Sequence, residues 1–521
     1  VQSRRLLVVS PFVSWFVAAG AFAQTTQRAS VDSNGVQGNN YSGLYGQTIS
    51  GNGRFVAFNS GATNLIAGGS ALQWEVFVHD FLTGETTMAS VDSNGVAGSG
   101  GSYTPSLSAD GLRVAFDSDS GFGTGDSNGR PDVFLHDRAT GATTLVSVDA
   151  NGVQFFGQSR GAAISGDGQN VAFHVTVGVG RYGHKTNVYV KDMRTGALVC
   201  ASVDPNGAAT TQHSADPAIS FDGGFVAFQT DQDSLVTGDT NGKQDVVVRD
   251  LVAGVTELAS VDSSGAQADG VSSDPAISAD GRYVAFTSAA TNLVAGDTNG
   301  HADVFVHDRQ TGATTRVSLD SSGGEADADC LHPSLSADGR LVGFVSAATN
   351  LVAGDSNGVS DVFLHDTVTG ETTRLSVDPL GGEGNGVSNA AQLSADGRFV
   401  CFHSVASDLV ANDTNGTDDV FLHGPRLTLE LDPSVVTAGS ALTLSTWRAA
   451  PLAPAMLVVV DLDGASLFLP VVVSSCDATG VWSLPTTVPG GLAGTTISFQ
   501  TLAIVDTGKV ELSNAATLTI Q

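Results

Sequence analysis

Five segments of the chain carry one pattern of oxygen donors, Asp-[Ser/Thr]-Asn-Gly-x-x-Asp. The donors are Asp126, Asn128 and Asp132; Asp239, Asn241 and Asp245; Asp297, Asn299 and Asp303; Asp355, Asn357 and Asp361; and Asp413, Asn415 and Asp419. Carboxylate and amide oxygens at positions 1, 3 and 7 of a glycine-turned loop suit a hard cation such as Ca²⁺, whose shell is built of oxygen. The loop departs from an EF-hand, which has its glycine sixth rather than fourth, and position 5 carries no acid. The competing reading closes the loop by Asx-turn hydrogen bonds without metal. Because paired Asp would otherwise concentrate uncompensated charge, calcium-stabilised loops are the expectation.

Two copies, at 69–75 (GSALQWE) and 180–186 (GRYGHKT), lose the pattern. Their Trp74, Arg181, Tyr182, His184 and Lys185 offer aromatic and basic chemistry on an otherwise acidic surface and are the ligand-binding candidates; the plainer reading is decay of a repeat. No catalytic or cofactor residue stands out. G-D-S-N-G at 125–129 and 354–358 fits the letters of a G-x-S-x-G nucleophile elbow. However, Thr replaces Ser in the other three copies, and no strand–turn–helix pattern surrounds it. His79, His136, His307, His365 and His423 recur at one repeat position and read as structural hydrogen-bonders. The remaining His174, His184, His213, His301, His332 and His403 are scattered, with nothing in the pattern to bring them together.

The elements that must hold these loops come from a repeat. Ser-x-Asp-Gly-x-x-Val-Ala-Phe recurs with its turn residue at Asn52, Asp110, Asp167, Asp222, Asp280, Asp338 and Asp396, spaced 58, 57, 55, 58, 58 and 58 residues apart. Seven copies at this period predict a seven-bladed β-propeller. Each copy reads as four strands; in the fifth they are 275–278, 283–288, 303–307 and 314–319, with tight turns at 279–281 and 308–312. An aromatic in every second strand (Phe58, Phe116, Phe173, Phe228, Phe286, Phe344, Phe402) suits packing between neighbouring blades. Both long connections of a blade emerge on one side of the disc, which makes that loop face the functional surface. The seventh copy ends after its third strand, at 419–423, whereas TTQRASVDSNG at 25–35 matches the fourth-strand text TTMASVDSNG at 86–95. The N-terminal strand is therefore expected to complete the last blade and close the ring.

The combination S-A-D-G-R-x-V-A-F and D-V-F-V-H-D-x-x-T-G-x-T-T-R resembles the PD40 or TolB-type WD40-like propeller repeat of bacterial envelope and secreted proteins, over about residues 25–424. The resemblance implies a propeller used as a binding platform, as part of a translocation system or, less often, as an enzyme. Function must come from the site rather than the fold.

The flanking text adds two further assignments. Residues 1–23 hold Arg4 and Arg5, an apolar stretch and Ala21-Phe22-Ala23, which read as a secretory signal. That leaves 24–424 as the propeller and places the protein in the periplasm or outside the cell. Residues 425–521 carry apolar-alternating segments such as ALTLSTW and TISFQTLAIVD, which predict an immunoglobulin-like β-sandwich. Cys200, Cys330, Cys401 and Cys476 fall at unrelated repeat positions and read as isolated thiols or at most one pair. The formal charge is −30, and only eight of 53 acidic residues are Glu, so the acidity reports turns and cation loops. It argues against nucleic acid and anionic membrane surfaces, and no later segment is apolar enough to span a bilayer. The resulting expectation is a secreted, non-enzymatic binding or scaffold protein that recognises a protein or glycan on its loop face. The alternatives are a polysaccharide lyase or hydrolase, or an envelope component acting through one protein partner as TolB does.

Overall fold

The repeat phrase folds locally for reasons visible atom by atom in the computed structural model. In the fifth copy Ser278 Oγ donates to Asp280 Oδ1 (2.7 Å), which also accepts the Arg282 N–H (2.9 Å), while the Tyr283 N–H donates back to Ser278 Oγ (2.8 Å). Gly281 turns the chain at φ +72°, and a Cβ there would lie 2.3 Å from Cδ2 of Phe225 in the preceding blade. Only glycine both reaches this conformation and clears that ring. Across this turn Ser272–Ile277 pairs with Tyr283–Ser288, followed by Asp303–Asp308 and Ala313–Arg316, all antiparallel. Arg282 then grips both Asp308 oxygens (2.8 and 2.7 Å), tying the two turns together.

The structure describes residues 24–67, 73–179, 183–209 and 211–425, and the backbone of seven strands beyond them. Seven four-stranded antiparallel sheets form the blades, so the predicted seven-bladed propeller is what the chain builds. The innermost strands are Ser42–Ile49, Ser102–Leu107, Gln158–Ile164, Ser214–Ile219, Ser272–Ile277, Cys330–Leu335 and Ser388–Leu393. Each packs on the next, and the last packs on the first. The seventh blade is completed by Gln24–Arg28, antiparallel to Asp419–Pro425 with Arg28 opposite Phe421. The ring is closed by its own N-terminal strand, as the repeat text predicts. The 3-10 turn Asp233–Leu235 is the one helical element among the described residues.

Apolar residues gather between blades rather than within them. One cluster joins Val56 and Phe58 of blade one to Cys401 and Val420 of blade seven, and another joins Phe286 and Phe305 to Val246 and Val248 of blade four. The repeat Phe stacks on a third-strand ring, Phe286 on Phe305 at 5.9 Å for example; burying each such ring contributes about 1.5–3 kcal/mol. The recurring histidines bind blade to blade. His307 Nδ1 meets Thr314 Oγ1 at 2.9 Å, and that hydroxyl donates to the Val261 carbonyl of the neighbouring blade at 2.5 Å. His79, His136 and His365 repeat the arrangement through Thr86, Thr143 and Thr372. Burial pushes His79 and His423 down to about 4, keeping them neutral.

Beyond the propeller, Ala441–Trp447 pairs with Val481–Thr487, while Met456–Leu462 lies between Ala465–Leu469 and Thr496–Ile504. The expected sandwich packing of these sheets, and residues 1–23 with their expected secretory signal, lie outside the described residues. Cys200, Cys330 and Cys401 are free thiols.

Deleting residues 24–32 removes the closing strand and exposes the apolar cluster around Ala29. The expected cost is roughly 3–5 kcal/mol, with loss of a single cooperative transition in thermal or denaturant unfolding. An unchanged melting temperature would contradict closure.

Candidate functional site

One position near the loop face varies from blade to blade while its neighbours hardly change. It is the residue after the repeat Phe, namely Asn59, Asp117, His174, Gln229, Thr287, Val345 and His403. Opposite it, the innermost strand of every blade slips register in a β-bulge. The bulged residue has positive φ: Thr104 (45°), Gly161 (65°), Asp216 (51°), Asp274 (52°), His332 (54°) and Ala390 (56°), with Gly43 and Gly46 in blade one. A non-glycine residue held there costs about 1–2 kcal/mol, and β-branched Thr104 is the most strained. The bulges bring residues of five blades to the axial channel. Gly161, Asp216, Asp274, His332 and Gln392, with the adjoining prolines, line a cavity of about 260 Å³.

The channel wall is polar and connected. Gln229 Nε2 donates to Asp216 Oδ2 (2.6 Å), and its Oε1 accepts the Asp274 N–H (3.2 Å). Asp274 Oδ2 faces His332 Nδ1 at 3.4 Å, and this hydrogen bond raises the imidazole's pKa. Burial, reinforced by the charge of Asp274, raises the Asp216 carboxyl. Burial pushes His174 and His403 down to about 4. His213 lies within electrostatic reach of His174 and Asp216, and His332 of His403. Histidines that look scattered in the sequence therefore form two pairs on neighbouring blades, His174 with His213 and His332 with His403. Several buried atoms beside this wall lack any protein partner: Asn59 Nδ2, Asp117 Oδ1, His174 Nδ1, Thr287 Oγ1 and Thr104 Oγ1. A buried polar atom left unmatched costs about 1–3 kcal/mol, which a bound water would offset.

Beside this wall, Tyr45 packs edge-on against Trp74 (centroids 4.9 Å apart) and against Tyr103 (5.2 Å). Arg160 lies 5.9 Å from the Tyr103 ring and pairs with Asp117 (2.8 Å) and Asp119 (3.5 Å). Tyr45 is 46% exposed. Of the ligand candidates read from the sequence, Trp74 joins this group. His184 and Lys185 instead lie in an extended strand pair, Asn170–Val179 with Gly183–Asp192, and Arg181 and Tyr182 lie outside the described residues. What reads as a decayed loop is a lengthened pair of strands, ten residues each where other blades have about six.

The Asp-Asn-Gly loops have a common internal chemistry. Asp132, Asp245, Asp303, Asp361 and Asp419 are fully buried. Each accepts the hydroxyl of a serine just past the fourth strand at 2.5–2.6 Å and the loop Asn Nδ2 at 2.9–3.1 Å. The Asn oxygen accepts the backbone N–H two residues on, as from Lys243 and His301. Asn thus turns its nitrogen, not its oxygen, toward the paired carboxylate. In blades five, six and seven an arginine enters between the two Asp. Arg316 Nη1 lies 3.2 and 3.3 Å from Asp297 and Asp303. Arg374 Nη1 is 3.5 and 3.7 Å from Asp355 and Asp361. Arg28 is 3.2 and 3.4 Å from Asp413 and Asp419. In blade two Gln154 Nε2 donates to Asp126 (2.6 Å) and Asp132 (2.7 Å). Asp355, Asp361 and Glu383 are close enough together to share an ion, and they share Arg374, which lies 3.1 Å from Glu383. Glu75 and Asn187 take the buried place in blades one and three, bonded to Ser90 and Ser202.

No family model matches the chain, and no curated protein matches it. Solved structures similar to it include TolB from Acinetobacter baumannii (15% identity, 58% of this chain and 59% of that one, TM-score 0.34). The putative TolB from Agrobacterium tumefaciens matches at 17% identity over 62% of this chain and 90% of that one, with a TM-score of 0.36. An oligogalacturonate lyase from Vibrio parahaemolyticus matches at 11% identity over 77% and 97%, with a TM-score of 0.47. The chain thus spans 59% of the length of the Acinetobacter protein. Among the described residues no helix is long and apolar enough to cross a membrane.

Two measurements probe the site's energetics. Thr104→Gly relieves the bulge strain and should stabilise the fold by about 1 kcal/mol in denaturant titration, net of glycine's entropy; a loss of stability would refute the strain. Burial pushes the Glu75 carboxyl up to about 7 from 4.5. The folded state therefore retains a proton that the unfolded chain releases, so this group's contribution is complete below pH 4.5 and lost as pH rises through 7. Glu75→Gln should be near neutral at pH 5 and stabilising by roughly 1–3 kcal/mol at pH 8.

Proposed function

We propose that this chain is a non-enzymatic binding protein, acting outside the cytoplasm, that takes a glycan at the loop-side mouth of its axial channel. The observation that carries this reading is the Tyr45–Trp74–Tyr103 group, with Arg160, beside the polar wall of the channel. Aromatic rings offer apolar faces to sugar C–H groups, and convergent Asn, Asp, Gln and His side chains supply the directional bonds that hydroxyls require. Asp216 and Asp274, in a chain of net charge −30, favour a neutral or amino-bearing sugar over a uronate. The arginine-led apolar text of residues 1–23 supports export. In the hydrolytic alternative the candidate acid is Asp117: its Oδ1 is buried without a hydrogen-bond partner, and burial raises its carboxyl against the opposing pull of Arg160 at 2.8 Å, in the direction a general acid needs.

The test is binding of neutral, amino and uronic oligosaccharides by glycan array and calorimetry. Trp74→Ala and Tyr103→Ala should each weaken binding by about tenfold or more, and Asp274→Asn should weaken amino sugars selectively. Wild-type affinity in both aromatic variants, or capture of a protein but no glycan, would overturn the reading. Release of new reducing ends, abolished by Asp117→Asn with binding intact, would establish the hydrolytic one.

A further inference from the structure

Each blade contributes one residue to a closed ring at the end of the axis opposite the long loops. It is the residue after the repeat Ser, in the turn between the first two strands: Gly51, Ala109, Gly166, Phe221, Ala279, Ala337 and Ala395. Backbone hydrogen bonds join the blades head to tail through this ring. The N–H groups of Gly51, Ala109, Phe221, Ala279 and Ala337 each donate to the carbonyl of the next member at 2.8–3.0 Å. The Ala395 N–H donates to the Gly51 carbonyl at 3.0 Å and returns the ring to its start. Between blades three and four the adjoining Asp167 N–H makes the bond, to the Phe221 carbonyl at 2.9 Å.

The ring is tight. A Cβ on Gly51 would lie 3.1 Å from that of Ala109 and 3.4 Å from that of Ala395, so side chains at this position close on one another. Seven carbons at such spacing enclose an opening about one water molecule wide. The one bulky member, Phe221, lies over Gly166, where a Cβ would come within 2.2 Å of its Cδ2. Phe221 thus covers the gap that the missing side chain leaves. Five residues before the ring on the same strands stand Asp216, Asp274 and His332 of the polar cavity, about 15 Å away along an extended chain. The channel therefore has a mouth among the loops and a floor of backbone and small side chains at the turns.

We propose that this channel is a blind pocket whose ligand is the end of a glycan chain, held by its terminal unit. The cavity of about 260 Å³ lined by Asp216, Asp274, His332 and Gln392 is smaller than pockets that enclose a drug-sized molecule, which suits one sugar unit. The floor denies the chain an exit, so the units that follow leave by the mouth, past Tyr45, Trp74 and Tyr103. An internal segment would have to double back inside the cavity or stay outside it. The proposal rests on the glycan reading above and adds to it which part of the polymer is read.

The experiment is calorimetric titration of the full chain with size-fractionated linear chitosan and maltodextrin, an amino and a neutral series. Lengths run from trimers to polymers long enough to seat several proteins. Chain-end recognition gives a number of proteins bound per polymer that does not grow with length, and a molar affinity that levels off. A bulky fluorophore on the entering end should abolish binding of the trimer, and the same label on the other end should leave it intact. Proteins bound per polymer rising with length, or binding that survives labels on both ends, would overturn chain-end recognition while the glycan reading stands. Failure of both series to bind would overturn the two together. The floor has its own test without sugar, amide hydrogen exchange. The N–H groups of Ala109, Ala279, Ala337 and Ala395, on half-buried residues, should exchange at least about 100-fold more slowly than in an unfolded peptide. Exchange at free-peptide rates would overturn the closed floor.

Discussion

Closure of the ring is the constraint on which the rest of this molecule depends. A blade is a small sheet whose two faces become core only when covered by its neighbours, and here the apolar clusters sit between blades. One open junction would leave two such faces wet and the inner and outer strand edges unpaired. The N-terminal strand does more than supply ladder bonds to Asp419–Pro425. Ser30 donates to Asp419 at 2.5 Å, and Arg28 reaches Asp413 and Asp419. Five residues from one end of the propeller thereby finish the sheet, the loop and its charge balance at the other end. The axial site inherits this dependence, because its wall is assembled from residues of all seven blades.

Charge in this protein is handled mostly by neighbours within a repeat. A chain with 53 acidic and 23 basic residues cannot pair every carboxylate, and it spends its arginines where two Asp converge. Arg282 and Arg340 hold the turn aspartates Asp308 and Asp366, whose carboxyls fall well below their usual range. Arg316 and Arg374 lie between buried loop carboxylates. Desolvation dominates at these loop pairs with or without the arginine: it pushes Asp132 and Asp239 up to about 6, and Asp355 beside Arg374 as well. A buried carboxylate without a counter-charge is an expensive thing to keep, which makes the exceptions more informative than the rule.

The fold was legible in the sequence because each local choice agreed with it. The Ser-x-Asp-Gly phrase is a complete hydrogen-bonded turn, the Phe after Val-Ala is interblade core, and the displaced TTQRASVDSNG is a fourth strand waiting for its sheet. The site was less legible, for two physical reasons. Asp, Asn and Gly at fixed spacing describe an Asx-closed loop as well as a cation loop, and the arginine that sits between the paired Asp comes from the next strand, as the last letter of the T-G-x-T-T-R text rather than as part of the loop. The axial ring left a signal that motif reading passes over: a single position, after the repeat Phe, that changes as Asn59, Asp117, His174, Gln229, Thr287, Val345 and His403 while the residues before it hold.

The prolines on the innermost strands show how that inner edge is used. Thr104, Asp216, Asp274 and His332 each take a left-handed conformation and each precede a proline, Pro105, Pro217, Pro275 and Pro333. A bulge frees backbone groups from the ladder, and at an inner strand the freed N–H would point at the channel as an unpaired donor. Proline has no N–H, so it removes that donor and also denies the channel to a strand that would add to the sheet edge. The bulge meanwhile turns one side chain per blade toward the axis. What the channel offers is therefore a set of side chains that differ from blade to blade, on a backbone that has little of its own left to donate. Recognition there must be written in side-chain chemistry, and the asymmetry between the aromatic group of blades one and two and the Asp–His group of blades four to six gives a bound ligand a direction as well as a place.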